Sequence, residues 1–147
     1  DRVNGFLDGL GDSKDKFKIV AQQDGGAALD KSMELAEDII TASPDMDAFF
    51  CINDPSALGA AAAIKAANKT GKIGVYSIDA SPDGKQALLD DEFTAVACQV
   101  PVQIADYSFK EAVKYVNGDT KIDEKKVYLD SHLVSKDEAE KTLKEWQ

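Results

Sequence analysis

The stretch "FCINDPSALGAAAAIK", residues 50–65, passes from an apolar run through the polar triplet Asn53-Asp54-Pro55 straight into an alanine-rich segment. One arrangement explains the abrupt change: a short strand, a sharp turn and a helix. Asp54 can cap that helix, and Pro55 fits its first turn, where a missing N–H removes no hydrogen bond. Residues 57–67 are then strong helix formers.

The same grammar recurs downstream. Ile73 to Ile78 reads as a strand, Asp79 to Ser81 as the turn and Pro82 as the first residue of a helix reaching about Asp90. Phe93 to Cys98 is a further strand, followed by a turn at Gln99 to Pro101. A helix from Val102 then carries the apolar stripe Ala105, Phe109, Ala112 and Val116 and stops at Gly118. Upstream, Val3, Phe6, Leu7 and Leu10 mark a helix over residues 1–10. Lys18 to Gln22 reads as a strand, and Leu29, Met33, Ala36 and Ile40 line a helix ending before Pro44. Asp47 to Ile52 is the strand that feeds the opening motif. A last strand at Lys126 to Leu129 and a short helix from about Lys136 complete the chain. Strands alternating with helices imply an α/β fold with a doubly wound parallel sheet, since each parallel connection needs a crossover.

Bulk composition limits the function. The 147 residues suffice for one core. They include 27 acidic against 17 basic side chains, a net charge of −10, which repels nucleic acid and anionic lipid alike. No apolar run approaches the ~20 residues of a membrane span. Cys51 and Cys98 sit in apolar runs without metal or redox spacing and are expected to be buried free thiols. The strand order predicted here puts their strands on either side of the Ile73 strand, too far apart for a bridge. No dinucleotide loop, phosphate loop or nucleophile elbow is present. The lone histidine, His132, reads as a turn or surface residue, and Met33 and Met46 as core filling. No enzyme activity, cofactor or metal is expected.

In doubly wound folds functional groups collect beyond the carboxyl ends of the strands. Asn53, Asp79 and Gln99 occupy three such positions, and Arg2 opens the first helix. Any one of them could merely cap a helix or satisfy a turn. Together they offer the paired donors and acceptors that match vicinal hydroxyls, which is the chemistry of sugar recognition.

The segments "AFFCINDPSALGAAAAIKAANK", "VYSIDASPDGKQALLDDEFTAVACQVPVQIA" and "DMDAFF" resemble the type I periplasmic sugar-binding proteins of ABC transporters, the ribose-binding-like group. The likeness extends over essentially the whole chain, with "NDPSALGA" and "DASPDGKQA" as its most specific motifs. In that family two lobes close on a sugar. The resemblance implies that Arg2 is a hydroxyl-binding arginine, Asn53 the asparagine of the Asn-Asp pair, Asp79 the aspartate before the turn and Gln99 a glutamine at the hinge. It implies a monosaccharide ligand, with pentoses among the candidates, an ABC permease as partner, and a periplasmic or extracellular location, soluble or lipid-anchored. The loop "DGGAALD" after Lys18 to Gln22 lacks the ring-stacking aromatic that the family often places there.

Against that pattern the chain is expected to be a fragment. Residues 1–100 correspond to the second lobe without its first strand, and residues 101–147 to the crossover helix, last strand and final helix that also contact the first lobe. Asp1, with no initiator methionine, is expected to be a processed or cleaved start. A missing first lobe, or a second chain, would complete the sheet. The alternative is the effector-binding core of a sugar-responsive transcription repressor, which shares the fold; an enzyme on the same fold lacks any base, nucleophile or metal set.

Overall fold

The structure, a computed structural model, describes residues 1–119 and 127–146. Helix α1 spans Arg2–Gly9 and a 3-10 turn follows at Gly11–Lys16. Helix α2, Leu29–Ala42, precedes strand β1 at Ala48–Phe50 and helix α3 at Asp54–Ala66. Strand β2 is Gly74–Asp79, helix α4 Pro82–Leu89 and strand β3 Ala95–Cys98. Helices α5, Pro101–Val116, and α6, Lys136–Lys141, close the order.

Among the described residues the sheet has three parallel strands in the order β1-β2-β3. Phe50 pairs with Tyr76, and Asp79 with Cys98. This is the parallel α/β architecture expected, incomplete in this chain, with the strands ending in register where Asn53, Asp79 and Gln99 begin their turns.

Alternation along the strands decides what packs where. Val75, Ser77, Val96 and Cys98 are buried with Ala57, Ala60, Ile64 and Leu88 of α3 and α4. Full burial of a valine such as Val75 or Val96 stabilises by about 1.5–3 kcal/mol. Phe50 instead meets Phe6 of α1 in a stacked pair, ring centroids 4.3 Å apart. Helix α2 lies against α3 because Gly59 leaves room: a Cβ there would come within 2.4 Å of the Leu29 carbonyl oxygen.

Three local expectations are corrected. Asn53, not Asp54, caps α3: its side chain accepts from the Ser56 N–H at 3.1 Å, while Asp54 turns inward as the first helical residue. Lys18 to Gln22 forms no strand, and Phe17, Ile19 and Val20 stay exposed. Its β-forming sequence has no neighbouring strand among the described residues, and without a partner for its N–H and C=O groups an extended segment cannot become a ladder. Of the expected last strand, Lys126 lies outside the described residues and 127–129 are not strand. The edge of β3 is met instead by residues 132–134 running antiparallel, bridged at Ala97 and Leu133. Sequence periodicity cannot foresee that pairing, because the segment contributes only one bridge.

Helix α5 buries none of its residues; Phe109 and Val116 are 70% and 82% exposed. The fully buried Lys85 ties the end of the chain to α4, donating to the carbonyls of Thr142 and Glu145, both at 2.8 Å.

Candidate functional site

The turn after β2 positions the site. Asp79 has φ 133° and Ala80 φ 56°, two consecutive non-glycine residues in backbone regions that cost about 1–3 kcal/mol each. The kink lets the chain double back, so that the Ser81 N–H and hydroxyl both donate to Asp54 Oδ2, at 2.8 and 2.7 Å. Asp54 also accepts from the Ser77 hydroxyl at 2.6 Å. A buried carboxylate needs such partners, and these three bonds come from the turn and from β2. Burial raises the Asp54 carboxyl above its ordinary range; hydrogen bonds from Ser77 and Ser81 oppose the rise, and the charge of Asp79 adds to it. Gly84 is required by the same carboxylate, since a Cβ would lie 2.1 Å from Asp54 Oδ2. Asp54 thus anchors the turn that presents Asp79.

The structure brings the four expected residues together at the strand ends. Arg2 donates to Asp79 Oδ1 at 3.2 Å and to the carbonyl of Ile52. The Gln99 side-chain amide donates to Asp79 Oδ1. Asp79 Oδ2 faces the Asp54 N–H at 3.4 Å. Asn53 stands at the rim, its amide donating to the Ala27 carbonyl at 3.3 Å while its oxygen caps α3. Two of the four, Arg2 and Gln99, therefore converge on the carboxylate of a third, Asp79, and the cluster keeps some exposure to solvent: the side chains of Arg2 and Asp79 are 37% and 15% exposed. Chemically this is a carboxylate with spare acceptor capacity, ringed by donors with hydrogens to share. Beside it, between α5 and residues 127–131, lies a hollow of about 470 Å³ lined by Gln99, Ile104, Tyr107 and Tyr128.

Sequence reasoning missed Asp54, Ser77 and Ser81 as the support beneath Asp79. The signal was present in "NDPSALGA" and "DASPDG", but which aspartate faces inward is a matter of tertiary packing. Among the described residues no group of three or more His, Cys, Asp or Glu side chains is placed to hold a metal ion.

A model of the periplasmic binding protein domain matches residues 1–120. The chain belongs to that family. Ribose import binding protein RbsB of Salmonella typhimurium is 34% identical over 104 residues, covering 71% of this chain and 35% of the relative. The D-ribose/D-allose-binding protein of Pseudomonas aeruginosa is 32% identical over 124 residues, 84% of this chain and 38% of the relative. Among solved structures, a galactofuranose binding protein superposes with a TM-score of 0.87 at 31% identity, covering 97% of this chain and 49% of that one. The Caulobacter myo-inositol binding protein, bound to myo-inositol, gives 0.85 at 27% identity, over 95% and 47% of the two chains. This periplasmic binding protein chain therefore spans about a third to a half of the length of the proteins it matches, and its fold is that of a type I lobe.

Proposed function

We propose that the chain is the second lobe of the solute-binding component of an ABC importer, and that it holds a monosaccharide against a first lobe without transforming it. The observation that carries this reading is the convergence of Arg2 and Gln99 on Asp79 at the ends of parallel strands. A sugar hydroxyl donates to the Asp79 carboxylate while its oxygen accepts from Arg2 or Gln99, so adjacent hydroxyls can be read as a pair. Asn53, at the rim, reads a further hydroxyl with its amide.

The relatives support a sugar: their names give ribose, allose, galactofuranose and myo-inositol as ligands. In this reading residues 1–100 form the lobe and residues 101–147 carry the connection to the first lobe, which covers the exposed apolar side chains of α5. Closing two lobes on the ligand excludes water from these hydrogen bonds and so raises affinity. The partner is an ABC permease, and the compartment is the periplasm or the cell exterior.

Calorimetry with a panel of pentoses and hexoses on the two-lobed protein tests the assignment. Asp79→Ala and Arg2→Ala should each weaken binding by about 1.5–3 kcal/mol, the cost of losing a hydrogen bond to a charged group. Unchanged affinity in both variants would show that the sugar lies elsewhere.

A further inference from the structure

Cys98, His132 and Glu138 form an array that sugar binding does not use. Cys98 ends β3 and is fully buried. Its Sγ lies 3.2 Å from His132 Nδ1, and His132 Nε2 lies 2.8 Å from Glu138 Oε1 on α6. Backbone pairing fixes the arrangement: the Cys98 N–H donates to the His132 carbonyl, and the Val134 N–H to the Val96 carbonyl, both at 2.9 Å. An ionised carboxylate only accepts, so His132 carries its proton on Nε2 and presents the Nδ1 lone pair to the thiol. Nucleophile, base and orienting carboxylate then stand in the order that activates a thiol.

We infer that Cys98 is a modification site, a thiol activated by His132 and Glu138 for reaction with small electrophiles and peroxides. The second cysteine is the internal contrast. Burial pushes the Cys51 thiol up to about 12, and none of its described contacts is with an imidazole. Cys98 is itself fully buried, but the imidazole that meets its sulfur is 53% exposed, and the two backbone bonds just named hold the His132 segment against β3. The charged groups around the array are Lys85 on α4, which feels Cys98, Glu138 and Glu145, Glu138 itself on α6, and Asp79, paired with Cys98 across the sheet.

In the reaction with hydrogen peroxide the thiol proton passes to His132 Nδ1 and the sulfur attacks one peroxide oxygen. The O–O bond breaks, the sulfur is oxidised to a sulfenic acid, and the second oxygen leaves as water with the proton from the imidazole. With iodoacetamide the S–C bond forms, the C–I bond breaks and iodide departs, while the imidazole retains the proton.

The test treats the folded chain with each reagent and follows Cys51 and Cys98 separately by peptide mass spectrometry. Cys98 should react at least about tenfold faster than Cys51, and His132→Gln should slow it by about tenfold or more, as loss of a general base does. Glu138→Gln should slow it by a smaller factor, as loss of the group that orients the base does. If His132→Gln reacts as fast as wild type or faster, the imidazole is only a cover and the inference is overturned. Equal rates for the two thiols in the unaltered chain would overturn it without recourse to any variant.

Discussion

Arg2 and Asp79 are 77 positions apart in sequence, yet the guanidinium reaches the carboxylate at 3.2 Å and also bonds to the Ile52 carbonyl. One side chain thus ties α1 to the ends of both β1 and β2. The pair is partly open to water, so its net contribution is small, about 0.5–1 kcal/mol. Arg2→Ala should loosen α1 more than it unfolds the chain: amide exchange should accelerate across residues 2–9 while the β2 amides keep their protection. Uniform acceleration throughout the sheet would mean that α1 is part of the cooperative core.

The Asp54 carboxylate should matter more to stability than Asp79. Asp54→Ala leaves the Ser77 and Ser81 hydroxyls and the Ser81 N–H without their acceptor, at about 1–3 kcal/mol for each group left unsatisfied. Gly84→Ala drives a methyl into the same carboxylate and should cost about 1–3 kcal/mol, as overpacking does. Urea titrations of both variants give these values directly; unchanged stability in both would contradict the anchoring role.

Asp54 also sets a pH dependence. Burial raises its carboxyl from 3.8 in the folded chain, so the native state holds this proton to higher pH than the unfolded state. The stability so gained is complete below pH 3.8 and is lost as the pH rises through the folded value. Asp54→Asn lacks that loss, so its stability relative to wild type should improve with rising pH above that point. Parallel pH profiles for the two proteins would show that Asp54 titrates as an ordinary surface carboxyl.

The two cysteines should remain unbridged. Their strands flank β2, which places them about two inter-strand spacings, or about 9–10 Å, apart, beyond the reach of a disulfide. Non-reducing mass spectrometry should find both thiols free, and Cys51, with its thiol raised to about 12, should resist alkylation at neutral pH until the chain is denatured.

Lys85 offers a separate handle on the end of the chain. Burial lowers its ammonium from the usual range, and nearby Glu138 and Glu145 act against that fall. Lys85→Met keeps much of the volume but removes the donor to the Thr142 and Glu145 carbonyls. It should destabilise by about 1–3 kcal/mol, with the largest gain in amide exchange over residues 136–146. Unaltered exchange there would show that apolar packing alone seats α6.

The parts of this fold legible in the sequence are those governed by local rules. The strand-turn-helix units around Asn53 and Asp79 follow from proline placement and from the switch of apolar period, and the site residues follow because strand ends repeat. The strand expected at Lys18 to Gln22 failed because pairing is a property of neighbours, not of β propensity. That Asn53 rather than Asp54 is the cap is not legible in the sequence, because both residue types cap helices, and only packing against Ser77 and Ser81 distinguishes them. From sequence His132 reads as a turn or surface residue, since its partner Cys98 is 34 positions away, linked through a single antiparallel bridge that no periodicity announces.

The central claim is that monosaccharide hydroxyls meet this chain at Asp79. Amide chemical-shift mapping on the isotope-labelled chain, titrated with D-ribose, D-allose, D-fucose and myo-inositol, tests it directly, even where binding to one lobe is weak. The account predicts that at least one of these ligands shifts the amides of Asp79, Ala80, Asn53 and Gln99, and that Asp79→Ala abolishes the shifts. Shifts centred instead on Tyr107 and Tyr128 around the neighbouring hollow, or shifts that survive Asp79→Ala, would contradict it.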